Sequence, residues 1–279
     1  MTVSLEDEYW ASERRSHRPA PMNGNTPDAQ KYAMELRDII RRHAAYQPRS
    51  LQKYLGPSEL GSPCDRQVAG KMAGLPGTNH VMDPWSSIVG TAIHAWLADC
   101  FDAENYRAGV WRFLTETRVW GHPNHPGTAD LYDYLWRAVV DHKALGEKGH
   151  EKVRSPEGPP RRYVVQSLIY AEGYRNADFD VERVMLAVYP RTKSTLSGLY
   201  VWDRPHTTDD DELLKEVFEQ TEDRYVWATK LASGQCTLTD IPAVPDDDEC
   251  FICPFYRPQS AYDNGPGCPG NRVIKTPTQ

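Results

Sequence analysis

Residues 127–145, GTADLYDYLWRAVVDHKAL, restrict the fold more than any other stretch of the chain. β-Branched and aromatic residues fill two short runs, over 128–134 and 137–144, which read as consecutive strands. Side chains alternate along a strand, so Asp141 and Lys143 emerge on one face. A hairpin centred between Leu135 and Trp136 sets Asp130 opposite Asp141, and directly opposed residues share a face. Two carboxylates and an ammonium then converge. Like charges on a partly buried sheet are costly unless a cation lies between them, and Mg²⁺ or Mn²⁺ suits such oxygen ligands. Lys143 cannot ligate a cation while charged, but it can orient an attacking water or stabilise charge building on a phosphate. The same residues also make an ordinary salt-bridged hairpin, and its centre lacks the Gly or Asn that fixes a tight turn.

The flanking sequence supplies what such a hairpin needs in order to bury itself. Residues 1–26 read as a polar arm. A helix follows over 27–46, started by Thr26, Pro27 and Asp28, with Tyr32, Met34, Leu36, Ile39 and Ile40 at roughly helical spacing. Short helices begin near Pro57 and after Ser62. A longer helix covers 84–103, with Ile88, Ala92, Trp96 and Leu97 as its buried positions. A strand at 110–120 precedes the hairpin, and a basic loop with Gly and Pro follows it over 148–161. Then come a helix from about 160 to 176, strands near 181–189 and 198–203 paired around TKSTLSG, and a charged amphipathic helix over 209–233. This order predicts an α/β fold, a mixed central sheet flanked by helices. Residues 1–50 form an arm and helix, 51–235 the main domain, and 236–279 a cysteine-rich tail.

The chain has 279 residues, 39% of them hydrophobic, with eight Trp and fifteen Tyr, so a packed core is expected and global disorder is not. No apolar stretch approaches the roughly 18–20 residues of a membrane helix. The charged start, MTVSLEDEYWASERRSHRP, lacks the apolar centre of a signal peptide, and a cytoplasmic location is expected. The net charge of −7 counts against a phosphate-rich partner. Basic residues nevertheless cluster at 14–18, 41–42 and 148–162, away from the acidic runs at 209–212 and 246–249. Six cysteines in a cytosolic chain suggest metal ligation before disulfides. Cys250 and Cys253, two residues apart, form a compact ligand pair, whereas Cys100 and Cys236 read as buried apolar residues.

Other residues recur around the carboxylates. His94 lies on the long helix, four after Gly90. Glu116 sits in the first strand, in register with Leu114 and Arg118. Gln166 and Tyr170 share a helix face, which Arg162 extends. Taken singly these are a structural histidine, a solvated strand face and an exposed helix stripe. In order, however, Ser58/Cys64/Arg66, Gly90/His94, Glu116, Gly127/Asp130, Asp141-His142-Lys143, Gln166/Tyr170 and Cys250/Cys253/Cys268 resemble the RecB-like branch of the PD-(D/E)xK nucleases. Within it they resemble the CRISPR-associated and phage-encoded exonucleases that carry an iron–sulfur cluster. The match spans roughly residues 55–270.

The resemblance implies that His94, Asp130 and Asp141 ligate a catalytic Mg²⁺ or Mn²⁺, with the His142 carbonyl as a backbone ligand. It implies that Lys143 is the catalytic lysine, that Glu116 lies near the site, and that Gln166 and Tyr170 contact DNA or brace the site. Cys64, Cys250, Cys253 and Cys268 would hold a structural four-iron four-sulfur cluster. Four thiolates suit zinc as well, and the fourteen residues between Cys253 and Cys268 exceed the spacer usual in that family. The substrate would be DNA, as single strands or ends, with recombination or CRISPR-adaptation partners. Lys148, Lys152, Arg154, Arg161 and Arg162 follow the hairpin and can hold a phosphate backbone. Tyr163, Tyr170 and Tyr174 can stack on bases. The competing readings are a structure-specific endonuclease, a non-catalytic DNA-binding adaptor, and a zinc-stapled structural protein.

Overall fold

The computed structural model describes residues 26–47, 55–79, 83–245, 247–263 and 265–270, so the polar arm read over 1–26 lies outside them save for Thr26. The chain divides into two units, residues 1–51 and 52–279. The first contains helix α1 (Pro27–Ala45), capped by Thr26, whose Oγ1 accepts from Ala29 N at 3.1 Å. Tyr32, Leu36, Ile39 and Ile40 are exposed on it.

The second unit is built on a five-stranded mixed sheet. Strands β2 (Gly127–Asp133) and β3 (Ala138–Leu145) pair antiparallel, with Leu131 opposite Val140 and Asp133 opposite Ala138. That register is the one a turn centred between Leu135 and Trp136 demands. The turn needs no Gly or Asn. The Asp133 carboxylate accepts the N–H groups of Leu135 and Trp136 at 2.9 and 3.3 Å, and Arg112 grips both its oxygens at 3.0 and 2.8 Å. Arg137 supplies the left-handed step at φ 45°. Strand β1 (Phe113–Val119) pairs antiparallel with β2, β4 (Arg183–Pro190) runs parallel to β3, and β5 (Tyr200–Pro205) returns antiparallel on β4.

A parallel neighbour requires a crossover. It is supplied by α5 (Glu147–Arg154) and α6 (Arg161–Arg175). Helix α5 occupies part of the stretch expected to be a loop. Val153, fully buried against Leu186 and Val188, anchors it and outweighs the helix-weakening Gly149. Helix α6 covers one face of the sheet, packing Val165, Leu168 and Ile169 on Tyr132, Val139 and Val184. Helices α2 (Pro57–Leu60) and α3 (Asp65–Met72) lead up to α4 (Trp85–Ala108), which covers the other face. There Phe101 packs on Phe113, Leu131 and Val140.

Of the positions expected to be buried on α4, Leu97 is buried, but Ala92 is exposed and Trp96 is 67% exposed. The stripe that meets the sheet runs through Leu97, Phe101 and Asn105, a quarter-turn from the stripe through Ile88, Ala92 and Trp96. Asn105 is buried and fixes the start of β1 by bonding both N–H and C=O of Phe113, at 2.9 and 2.7 Å. Among the described residues no helix is long and apolar enough to cross a membrane.

Helix α7 (Thr208–Ala232) completes the layer beside α6 through Leu214 and Val217. Its Arg224 is fully buried. It donates to Asp65 Oδ1 at 2.8 Å, Leu60 O at 2.9 Å and Ser62 O at 2.6 Å, fixing the segment that presents Cys64. Burial disfavours the guanidinium and lowers its pKa, and Asp65 offsets this in part. Short helices α8 (Asp247–Phe251) and α9 (Ser260–Asp263) lie in the tail. Replacing Arg224 by Met strips two carbonyls and a carboxylate of this donor. The expected loss is about 3–5 kcal/mol in urea unfolding, and a loss under about 1 kcal/mol would show that the clamp contributes little.

Candidate active site and cysteine centre

The pairing between β2 and β3 is recorded up to Leu131 and Val140. Beyond that point the His142 N–H donates to Asp130 Oδ2 at 2.6 Å, so a carboxylate takes a place a strand carbonyl would fill. Continuing the register sets Asp130 opposite Asp141. Asp141 is fully buried, and neither of its oxygens receives a well-directed hydrogen bond among the described residues. Lys143 Nζ forms a close ion pair with it, 2.5 Å from Oδ2. On α4, His94 Nδ1 lies 3.1 Å from Asp130 Oδ1. On β1, Glu116 is flanked by the pairs Thr115–Leu131 and Thr117–Ala129, and takes a left-handed backbone at φ 44°, which is strained for Glu. Ligand atoms of His94, Glu116 and Asp130 lie within 4.8 Å of one another.

Helix α6 fixes the lysine from the other side. Lys143 Nζ donates to Gln166 Oε1 at 3.0 Å, and Gln166 Nε2 donates to the Tyr170 hydroxyl at 3.1 Å. Tyr170 packs so closely on the start of β2 that a Cβ at Gly127 would lie 2.5 Å from its ring, which is why glycine stands three residues before Asp130. The fold thus converges the ligand atoms of His94, Glu116 and Asp130, sets Asp141 against Lys143 beside them, and braces that lysine with Gln166 and Tyr170. The His142 ring stacks on Phe101 with centroids 5.6 Å apart and stands edge-on to His94 at 6.1 Å.

The basic residues separate into two groups. Lys148, Lys152 and Arg154 are exposed on α5. Arg161 and Arg162 begin α6 and are paired within the fold, Arg161 with Glu216 at 3.3 Å and Arg162 with Glu249 at 3.0 Å. Tyr170 and Tyr174 are core residues, 5% and 1% exposed, and offer no face to a base. Tyr163 is half-buried, with Lys143 Nζ 4.9 Å from its ring centre. Sequence reasoning missed Glu249, Asp65 and Arg224, whose roles depend on partners far along the chain.

Cys64, Cys250, Cys253 and Cys268 line one cavity, walled by Arg66, Phe255 and Tyr256. Among the described residues none of the four is in a disulfide, nor are the half-buried Cys100 and Cys236. Backbone bonds close the long spacer. Cys268 N donates to Phe255 O at 2.7 Å, and Arg257 N to Cys268 O at 2.8 Å. Gly267, at φ 121°, makes the turn that returns the chain. Arg66 donates to Cys268 Sγ at 3.2 Å and to Ile241 O at 2.8 Å, tying α3 to the tail. Burial pushes the Cys253 thiol up to about 11, a cost that a ligated cation removes. Four sulfurs around one cavity with a guanidinium donor fit a thiolate-bound metal or cluster.

No protein-family model and no curated protein matches the chain. Among solved structures, a phage-related exonuclease from Haemophilus somnus 129PT is similar over 62% of this chain and 82% of its own, at 13% identity and a TM-score of 0.40. A likeness that slight carries no argument, and the reading of the site rests on its own residues.

Burial pushes the Asp141 carboxyl up to about 6, with Lys143 opposing the rise and Asp130 adding to it. For Asp130 burial acts the same way, but the His94 hydrogen bond and the nearby cations outweigh it and hold the carboxyl below its ordinary value. Burial disfavours the His94 imidazolium, yet Asp130 outweighs that and raises it above its ordinary 6.5. Burial drives the His142 ring down to about 4. Without a cation, Asp141 takes up a proton on folding, so its favourable contribution at low pH is lost as pH rises from 3.8 to about 6. His94 likewise loses its contribution as pH rises through its raised value. Ligation needs both deprotonated. Mn²⁺ affinity measured by calorimetry should therefore rise about tenfold per pH unit for each proton displaced below about pH 6, and level off above neutrality. A flat profile would exclude Asp141 and His94 as ligands.

Proposed function

We propose that this chain is a metal-dependent deoxyribonuclease that acts as an exonuclease on single-stranded DNA or DNA ends. The observation that supports this best is the arrangement of Asp130 and Asp141 on paired strands, with His94 at 3.1 Å from one and Lys143 at 2.5 Å from the other. A structural hairpin gains nothing from sealing two opposed carboxylates beside a single ammonium.

His94, Asp130 and Asp141, with Glu116 alongside, would hold Mg²⁺ or Mn²⁺. When bound, such an ion polarises a phosphoryl oxygen and lowers the pKa of water. The rest is done by the chain. Asp141 and Gln166 hold the Lys143 ammonium from two sides, so it is aimed before substrate arrives. From there it donates a hydrogen bond to an attacking water or to an oxygen gaining charge as the phosphodiester is cut in line. Lys148, Lys152 and Arg154 on α5, directly after β3, would hold the DNA backbone. The cysteine centre would carry a four-iron four-sulfur cluster, making it a staple between α3 and the tail.

With Mn²⁺ or Mg²⁺, linear end-labelled DNA should be degraded and covalently closed circles spared. Lys143→Ala should lower kcat by at least about a hundredfold with KM little changed. Activity that survives in the variant would reject the site. Cutting of closed circles would favour the endonuclease reading, and inert wild-type protein the adaptor. A brown protein absorbing near about 400 nm carries the cluster, whereas a colourless one with stoichiometric zinc does not.

A further inference from the structure

The cysteine centre and the lysine of the proposed nuclease site are joined by one continuous set of contacts. Glu249 lines the cysteine cavity and directly precedes Cys250. Its Oε2 accepts from Arg162 Nη1 at 3.0 Å, with the two side chains only 22% and 27% exposed. Arg162 in turn lies over the Tyr163 ring at 5.0 Å, and Lys143 Nζ lies 4.9 Å from the same ring. One turn further along α6, Gln166 accepts from Lys143. The Arg162 backbone cannot yield, because Gly61 packs so tightly on it that a Cβ there would meet Arg162 Cα at 2.8 Å. Among the described residues Arg162 Nε is buried without a hydrogen-bond partner, and Glu249 is the carboxylate that balances the guanidinium's charge.

We propose that Arg162 is a positioning residue, not a contact for DNA, and that with Glu249 it transmits the state of the cysteine centre to Lys143. A filled centre fixes the Cys250 segment and therefore Glu249. An emptied centre frees Glu249 and leaves Arg162 half-buried and unbalanced at the turn that holds Tyr163 and Gln166. The lysine then loses its aim while the carboxylates remain. The inference rests on the nuclease reading for its kinetic consequence but not for the coupling itself, which is reciprocal.

The test uses full-length protein with its cysteine-bound iron or zinc quantified, and the variants Arg162→Gln, Glu249→Gln, their double variant, and the charge swap Arg162→Glu/Glu249→Arg. Each single variant should lower kcat about tenfold with KM for linear DNA within about twofold, the double should be no worse than either, and the swap should recover most of the loss. Arg162 lies outside the cysteine cavity, yet Arg162→Gln should speed metal loss to a chelator about threefold or more. Mn²⁺ at the carboxylates should slow that loss in the wild type and not in this variant. A raised KM with unchanged kcat would make Arg162 a DNA contact and overturn the proposal, as would additive losses. Wild type inert on DNA would remove the nuclease reading alone, because the chelator rates still decide. Equal rates in wild type and Arg162→Gln, or a chain that retains neither iron nor zinc, overturn the coupling.

Discussion

A carboxylate sealed from water at the middle of a sheet is the constraint on which the rest of this structure turns. Asp141 is fully buried, and burial alone would keep it protonated near neutrality. Everything around it lowers that cost. Lys143 sits two residues on in the same strand, Asp130 is engaged by His94 and by the His142 N–H, and Gln166 reaches across from α6 to hold the ammonium. The arrangement needs β3 at the centre of the sheet with a helix over each face. That is what the parallel return to β4 and the crossover through α5 and α6 provide.

Much of this was legible in the sequence because it depends on spacing. Counting outward from Leu135 and Trp136 places Asp130 opposite Asp141, and the strands keep that register. Spacing of four puts Gln166 under Tyr170 on α6. The turn chemistry was not legible in the same way. It is Asp133, held by Arg112 and capping two N–H groups, that makes the turn, and nothing local distinguishes that aspartate from a surface charge. The α5 helix escaped for a related reason, since Val153 finds its partners in a strand more than thirty residues later. On α4 the apolar period was read through Ile88, Ala92 and Trp96 as well as Leu97, and of these only Leu97 is buried, on the stripe with Phe101 that meets the sheet.

Arg162 shows the limit of periodic reasoning. Its position, four residues before Gln166, marks it as part of a polar stripe, and in a basic stretch that reads as a surface for phosphate. Its partner Glu249 is 87 residues away, so no local pattern announces the pairing. Asp65 and Arg224 are the same case, an ion pair across the core that no local pattern announces.

The long spacer between Cys253 and Cys268 has a different meaning once its closure is known. The two cysteines are brought together by backbone bonds among residues 255, 257 and 268, and the intervening chain is folded back on itself by Arg257 and Asp263. Its length is therefore not a measure of the distance between the sulfurs. The spacer's length is nearly decoupled from the approach of Cys253 and Cys268, since doubling such a loop costs only about 0.6 kcal/mol of closure entropy. Insertions or deletions there would cost the approach of Cys253 and Cys268 little, so a fixed cysteine spacing is a poor yardstick for such a pair.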